Sequence, residues 1–150
     1  VGEQVISGER LLYRQKMDHE IAEFGLSTQW SWLGQRTDIV DLINNHDLLV
    51  HPSYGEGLPN VVCEALACGK PVIASNMLDH PRLVQDGVTG YLFDWQSPED
   101  LAQKILTFAQ LPDVTRFQMR QNARRFAENH LSMSRYVDEY ETLFETLLNR

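Results

Sequence analysis

Cysteine is scarce in this chain of 150 residues: Cys63 and Cys68 are its two cysteines. Five apart in one apolar stretch, they suit neither a disulfide framework nor a metal site, and they read as reduced core residues of a cytosolic protein. Long apolar runs are missing too, none approaching the ~20 residues of a membrane helix. Val1, Gly2 and Glu3 lack the basic-then-apolar pattern of an export signal. Positive charge is short: 13 Lys and Arg face 21 Asp and Glu, a net charge of -8 that excludes a nucleic-acid surface and opposes an anionic membrane. There is no repeat and no low-complexity tract. The hydrophobic content of 43% is enough for one core, so one domain over residues 1–150 is expected.

What is present alternates between strand-like and helix-like stretches. Glu9 to Phe24 has helical spacing and stops at Gly25, and Thr28 to Leu33 reads as a short strand. Thr37 is placed to cap a helix through Ile39, Leu42 and Ile43 to Asn44 and Asn45. Leu48 to Val50 reads as a buried strand ending at Pro52, Asn60 to Cys68 as a helix, and Pro71 to Ser75 as a strand. Beyond Gly90-Tyr91-Leu92-Phe93 the chain turns helical. Ser97-Pro98-Glu99-Asp100 opens one helix with a Ser cap, an early Pro and acids near the positive dipole end. The last helix gathers Tyr136, Val137, Tyr140, Leu143, Phe144, Leu147 and Leu148 on one face. Strand, crossover helix, strand predicts an α/β fold, a Rossmann-like doubly wound parallel sheet with a helical C-terminus. Ligands sit at the carboxyl ends of such strands, so the loops after Leu33, Val50 and Ala74 should face a site.

The stretch from His51 to Ser75 carries the chemistry. A Gly-containing loop joins a strand to a helix, and Pro59 suits the first helical turn, leaving the amides of Asn60 and Val61 outward as an anion site. Glu64 lies in an otherwise apolar helix, where a buried carboxylate needs donors. Two ribose hydroxyls would supply them; Lys70 or a backbone amide would also. Glu56, in the loop, approaches the same crevice or is a solvated turn acid. His19, His46, His51, His80 and His130 show no ligand spacing, and no metal is expected. A Gly-x-Gly-x-x-Gly turn is absent, and Gly69-Lys70 lacks the rest of a P-loop.

Pro52-Ser53, then Glu56-Gly57-Leu58-Pro59-Asn60-Val61-Val62, Glu64-Ala65-Leu66-Ala67 and Gly69 through Pro71-Val72-Ile73-Ala74 closely resemble the signature of glycosyltransferase family 4, with its two glutamates separated by seven residues. Leu33-Gly34-Gln35-Arg36-Thr37-Asp38 is similar to the family's Leu-Gly-x-Arg-x-Asp strand end, and Asp86-Gly87-Val88-Thr89-Gly90 to its Asp-Gly-x-x-Gly strand. The resemblance covers nearly the whole chain. It implies the nucleotide-sugar-binding, C-terminal half of a retaining GT-B glycosyltransferase that transfers a hexose-type sugar from a UDP- or GDP-sugar to a glycan or lipid-linked acceptor. Carried over by position, Glu56 serves catalysis and contacts the donor sugar. Gly57, Leu58, Pro59, Asn60 and Val61 surround sugar and phosphate, Glu64 holds the ribose, and Arg36 and Ser53 meet the base.

The resemblance also implies a partner, the N-terminal acceptor-binding domain of the same protein, along with the family's phosphate-binding Arg and Lys, both preceding Val1. The domain is then truncated at its N-terminal edge and inactive by itself. It needs no cofactor or metal and works in the cytoplasm, at the face of a membrane when the acceptor is a glycolipid. One departure stands out: the family's Gly pair followed by Pro-Glu is replaced by Asn76-Met77-Leu78-Asp79-His80, leading into Pro81-Arg82. The rival readings are a non-catalytic nucleotide-sugar-binding module and a nucleotide-sugar epimerase of GT-B fold, which is expected to lack the Glu-Gly-Leu-Pro loop.

Overall fold

A computed structural model describes residues 8–148, so Val1, Gly2 and Glu3 lie outside the described residues. Two compact units meet in sequence between Thr37 and Asp38.

In the first unit, helix α1 (Gly8–Glu23) ends where Gly25 adopts φ 68°, with the amides of Gly25 and Leu26 closing on the carbonyls of Ala22 and Ile21. This is the paired termination that a left-handed glycine permits. The expected strand Thr28–Leu33 does not form. Its tryptophans are engaged otherwise: Trp32 Nε1 donates to Asp18 at 2.8 Å, the Arg14 guanidinium lies 3.9 Å from the Trp32 ring centroid, and Trp30 meets Trp32 edge-on at 5.3 Å. Alternation alone does not make a strand when side-chain contacts to a helix hold the segment.

The second unit is a parallel three-stranded sheet of β1 (Leu49–His51), β2 (Val72–Ser75) and β3 (Gly90–Phe93), in that spatial order. Before β1 runs α2 (Ile39–Asn44), with Asp38 at the N-cap in place of the expected Thr37, a shift of one residue. Between strands lie α3 (Asn60–Ala67) and the short α4 (His80–Leu83), and after β3 come α5 (Pro98–Ala109), α6 (Asp113–His130) and α7 (Met133–Leu148).

The strand pleat divides the core. On central β2, every residue of which is buried, Val72 and Ala74 join Val62, Ala65 and Leu66 of α3 and Ala123 and Ala127 of α6. Ile73 points the other way, to Phe93, Phe108 of α5 and Met119. A strand covered by helices on both faces reads as a continuous apolar run, and this is the doubly wound arrangement. β3 comes close to β2 at its start, where a Cβ on Gly90 would lie 1.8 Å from the Val72 carbonyl oxygen. Ser97 caps α5 as its sequence predicts, its hydroxyl accepting from the Asp100 amide at 3.1 Å. The apolar face of α7 also forms, the rings of Tyr136, Tyr140 and Phe144 meeting at a tilt at successive turns, yet no residue of α7 is buried among the described residues. No helix among them is long and apolar enough to cross a membrane.

Candidate functional site

The loop over residues 52–59 leaves the carboxyl end of β1 and enters α3 at Pro59. Pro59 is buried and takes the N-cap position with ψ 101°, one place earlier than the helical turn its sequence suggests, because its extended ψ cannot belong to the helix. Its carbonyl accepts from Val62 and Cys63 at 3.0 and 3.2 Å. The amides of Asn60 and Val61 are the ones left outside the helical ladder, as the first groups of any helix must be. Asn60 is exposed and Val61 half-buried.

Glu64 is exposed, which corrects the expectation of a water-poor carboxylate. Val62, Ala65 and Leu66 turn inward, and at 3.6 residues per turn Glu64 falls on the opposite side. Neither Lys70 nor a backbone amide holds it: its carboxylate has no hydrogen bond or ion pair among the described residues. One turn beyond Asn60, it lies on the same side of the helix as the exposed Asn60 side chain.

Lys70 is used elsewhere. Gly69, at φ 63°, follows the end of α3, and Lys70, only 1% exposed, donates to the carbonyls of Asn44, the last residue of α2, and of His46 just beyond it. Burial pulls its ammonium below the usual lysine range, with the Arg120 charge adding to the effect. Cys63 and Cys68 are free and half-buried, and burial raises the Cys63 thiol.

The loop itself is tied down. Glu56 accepts from His51 Nε2 at 2.9 Å, and the Ser75 hydroxyl donates to the Ser53 carbonyl, joining the ends of β1 and β2. Gly57 and Leu58 are exposed. The rings of Tyr54, after β1, and Trp95, after β3, stack at 6.0 Å, so they bridge the two outer strands at the sheet's carboxyl edge. Sequence reasoning singled out neither aromatic, nor the meeting of His51 with His80, whose rings lie 5.2 Å apart edge to face. Arg135 was missed as well; with Leu58, Asn60 and Tyr136 it lines a concavity of about 270 Å³. The second unit thus gathers Ser53, Glu56 to Val61 and Glu64 at one edge. Arg36 is exposed and belongs to the first unit.

In the turn after β2, Leu78 holds φ 52° where the resembled family has its Gly pair.

This loop-to-helix arrangement on a parallel sheet agrees with a family match: residues 3–126 fit the glycosyl transferases group 1 model. The chain belongs to that family. A Campylobacter jejuni relative, named N,N'-diacetylbacillosaminyl-diphospho-undecaprenol alpha-1,3-N-acetylgalactosaminyltransferase, is 30% identical over 128 residues, 83% of this chain and 34% of that protein. A D-inositol 3-phosphate glycosyltransferase from Mycobacterium is 40% identical over 85 residues, 55% of this chain and 19% of that protein. The crystal structure of HepE from Anabaena in complex with UDP superposes with a TM-score of 0.82 at 29% identity, covering 95% of this chain and 38% of that one. The chain therefore spans less than two fifths of the length of each of these relatives. The fold is that of GT-B glycosyltransferases, an α/β parallel sheet with a helical C-terminus.

Proposed function

We propose that the chain is the donor-binding domain of a retaining, family 4 glycosyltransferase, which takes a hexose-type sugar from a UDP-sugar and works with an N-terminal acceptor-binding domain. One observation carries this reading: Glu56, the outward amides of Asn60 and Val61, and the unpartnered Glu64 lie together where β1 opens into α3. The diphosphate is held by the helix-start amides, aided by the dipole. Glu64, accessible one turn along, accepts from the ribose hydroxyls, and Glu56 accepts from hydroxyls of the sugar. Gly57 and Leu58 let the loop backbone approach the sugar, with Pro59 buried beneath it. Base contacts at Ser53 and Arg36 follow from the resemblance. UDP is preferred over GDP because HepE, at 29% identity, is known in complexes with UDP and with UDP-glucose.

With no protein nucleophile in the loop, the leaving phosphate takes the acceptor's proton on the same face of the sugar, and the protein contributes positioning and charge stabilisation. The acceptor is a glycan or a lipid-linked, membrane-associated sugar met at the cytoplasmic face. Such a phosphate site asks for no metal.

Thermal-shift measurements with UDP-, GDP- and ADP-sugars test the reading, since a ligand specific to the folded state stabilises it by mass action. A UDP-sugar is expected to raise the melting temperature most, with the shift undiminished by EDTA, and the chain alone is expected to transfer no sugar. No shift with any of the three, or a shift abolished by EDTA, rejects the proposed site; measurable transfer by the chain alone rejects the division between two domains.

A further inference from the structure

The buried His80 has no role in donor binding as described above, and its hydrogen bonding leaves one ring atom unexplained. Its Nδ1 lies 2.9 Å from both the hydroxyl and the carbonyl oxygen of Ser75. A carbonyl only accepts, so Nδ1 carries the proton, and in the neutral ring Nε2 is a bare lone pair. Fully buried, that Nε2 has no partner among the described residues. An orphaned buried polar atom costs free energy and calls for a ligand or a function. His51 and Glu56 stand beside the same ring: the His51 and His80 rings meet at 5.2 Å, and the three side chains each offer a ligand atom, all within 4.8 Å of one another.

We propose that His51, Glu56 and His80 form a binding site for a divalent transition ion of the zinc type. Two imidazoles and one carboxylate are the donor set such ions prefer over magnesium, and three protein ligands leave a fourth position for water. The ion enters between His51 and Glu56, displacing to solvent the proton they share at 2.9 Å. Tetrahedral ligands about 2.0 to 2.1 Å from zinc stand roughly 3.3 Å apart, so the three groups close in by a modest side-chain movement. The outer support is already built, because His80 Nδ1–H is anchored on the Ser75 carbonyl, the arrangement that fixes a ligating histidine's tautomer and ring direction. The Ser75 hydroxyl in turn donates to Ser53, fixing the end of β2 to the loop that carries Glu56. His80 begins α4, just after the turn in which Asn76-Met77-Leu78-Asp79 stand where the resembled family has its Gly pair. The site is separate from the helix-start amides, and its existence does not depend on the donor reading. An ion there engages Glu56, so if that reading holds, zinc competes with the sugar part of the donor and spares the bare nucleotide.

Calorimetric titration of the chelator-treated protein with ZnCl2, and separately with MgCl2, tests the proposal. One zinc per chain and no heat with magnesium are expected. Glu56→Gln, at an exposed position, and His51→Gln should each weaken zinc at least about tenfold while circular dichroism stays that of the parent. Titration with CoCl2 should give visible absorption of nitrogen and oxygen ligands without a thiolate charge-transfer band. Absence of zinc binding, equal affinity in parent and Glu56→Gln, or a thiolate band assigning the metal to Cys63 or Cys68 would each overturn it.

Discussion

Glu56 accepts a hydrogen bond from Nε2 of His51, the last residue of β1, at 2.9 Å, so the loop acid is held against the strand it follows. Glu64, in contrast, projects from α3 with no partner among the described residues. The two glutamates should therefore separate in binding experiments. A hydrogen bond to a charged group is worth about 1.5 to 3 kcal/mol, or roughly ten- to a hundredfold in affinity. Glu64→Gln is expected to weaken UDP and UDP-sugar by similar factors within that range, and Glu56→Gln to weaken mainly the UDP-sugar. Calorimetry with both ligands, on variants whose circular dichroism matches the parent, decides; undiminished UDP affinity in Glu64→Gln removes the ribose assignment.

Lys70 gives a pH prediction. Its folded pKa is lowered from 10.5, chiefly by burial, so between the folded value and 10.5 the unfolded chain binds more protons. The contribution of Lys70 to stability should then rise with pH across that window and level off above it. In urea denaturation, the stability of the protein minus that of Lys70→Met is expected to increase toward pH 10.5. A difference that falls with pH means that the ammonium's bonds to Asn44 and His46 outweigh the cost of burying it.

Leu78 should be improvable. A left-handed backbone costs an L-residue about 1 to 2 kcal/mol and glycine almost nothing, while the Leu78 side chain is 55% exposed and loses little contact on removal. Leu78→Gly is expected to add up to about 1 kcal/mol, or roughly 2 to 4 °C in melting temperature for a chain of this size. Differential scanning calorimetry checks it, and a lower melting temperature refutes the strain.

Gly90 should tolerate nothing larger. The Val72 carbonyl, 1.8 Å from where a Cβ would stand, is main chain in a central strand and cannot yield without opening the β2–β3 ladder. Gly90→Ala is expected to cost at least about 3 kcal/mol, read as a shift of the urea midpoint or as failure to accumulate folded protein.

Elements defined by local chemistry were legible in the sequence. Gly25 and Ser97 mark helix ends by backbone and hydroxyl rules that need no tertiary partner, and Val72 to Ser75 is apolar enough to announce a strand buried on both faces. Features fixed by distant contacts were not. Trp30 and Trp32 read as strand residues, yet Asp18 and Arg14 of α1 engage Trp32. Glu64 looked buried because its neighbours are apolar, whereas the side of α3 that faces the sheet is chosen by Val62, Ala65 and Leu66. His51 and His80 are 29 positions apart, and only the parallel pairing of β1 with β2 brings their rings together.

The uncovered stripe of α7 sets how that helix behaves in solution. Its hydrogen bonds are supported by the Arg135–Glu139 ion pair and the ladder of Tyr136, Tyr140 and Phe144, with no buried residue to anchor them. A helix of 16 residues with only such local support is marginal, so its opening is decoupled from global unfolding. In deuterium exchange, the amides of α7 should label early, while those of β2 wait for the whole second unit to open.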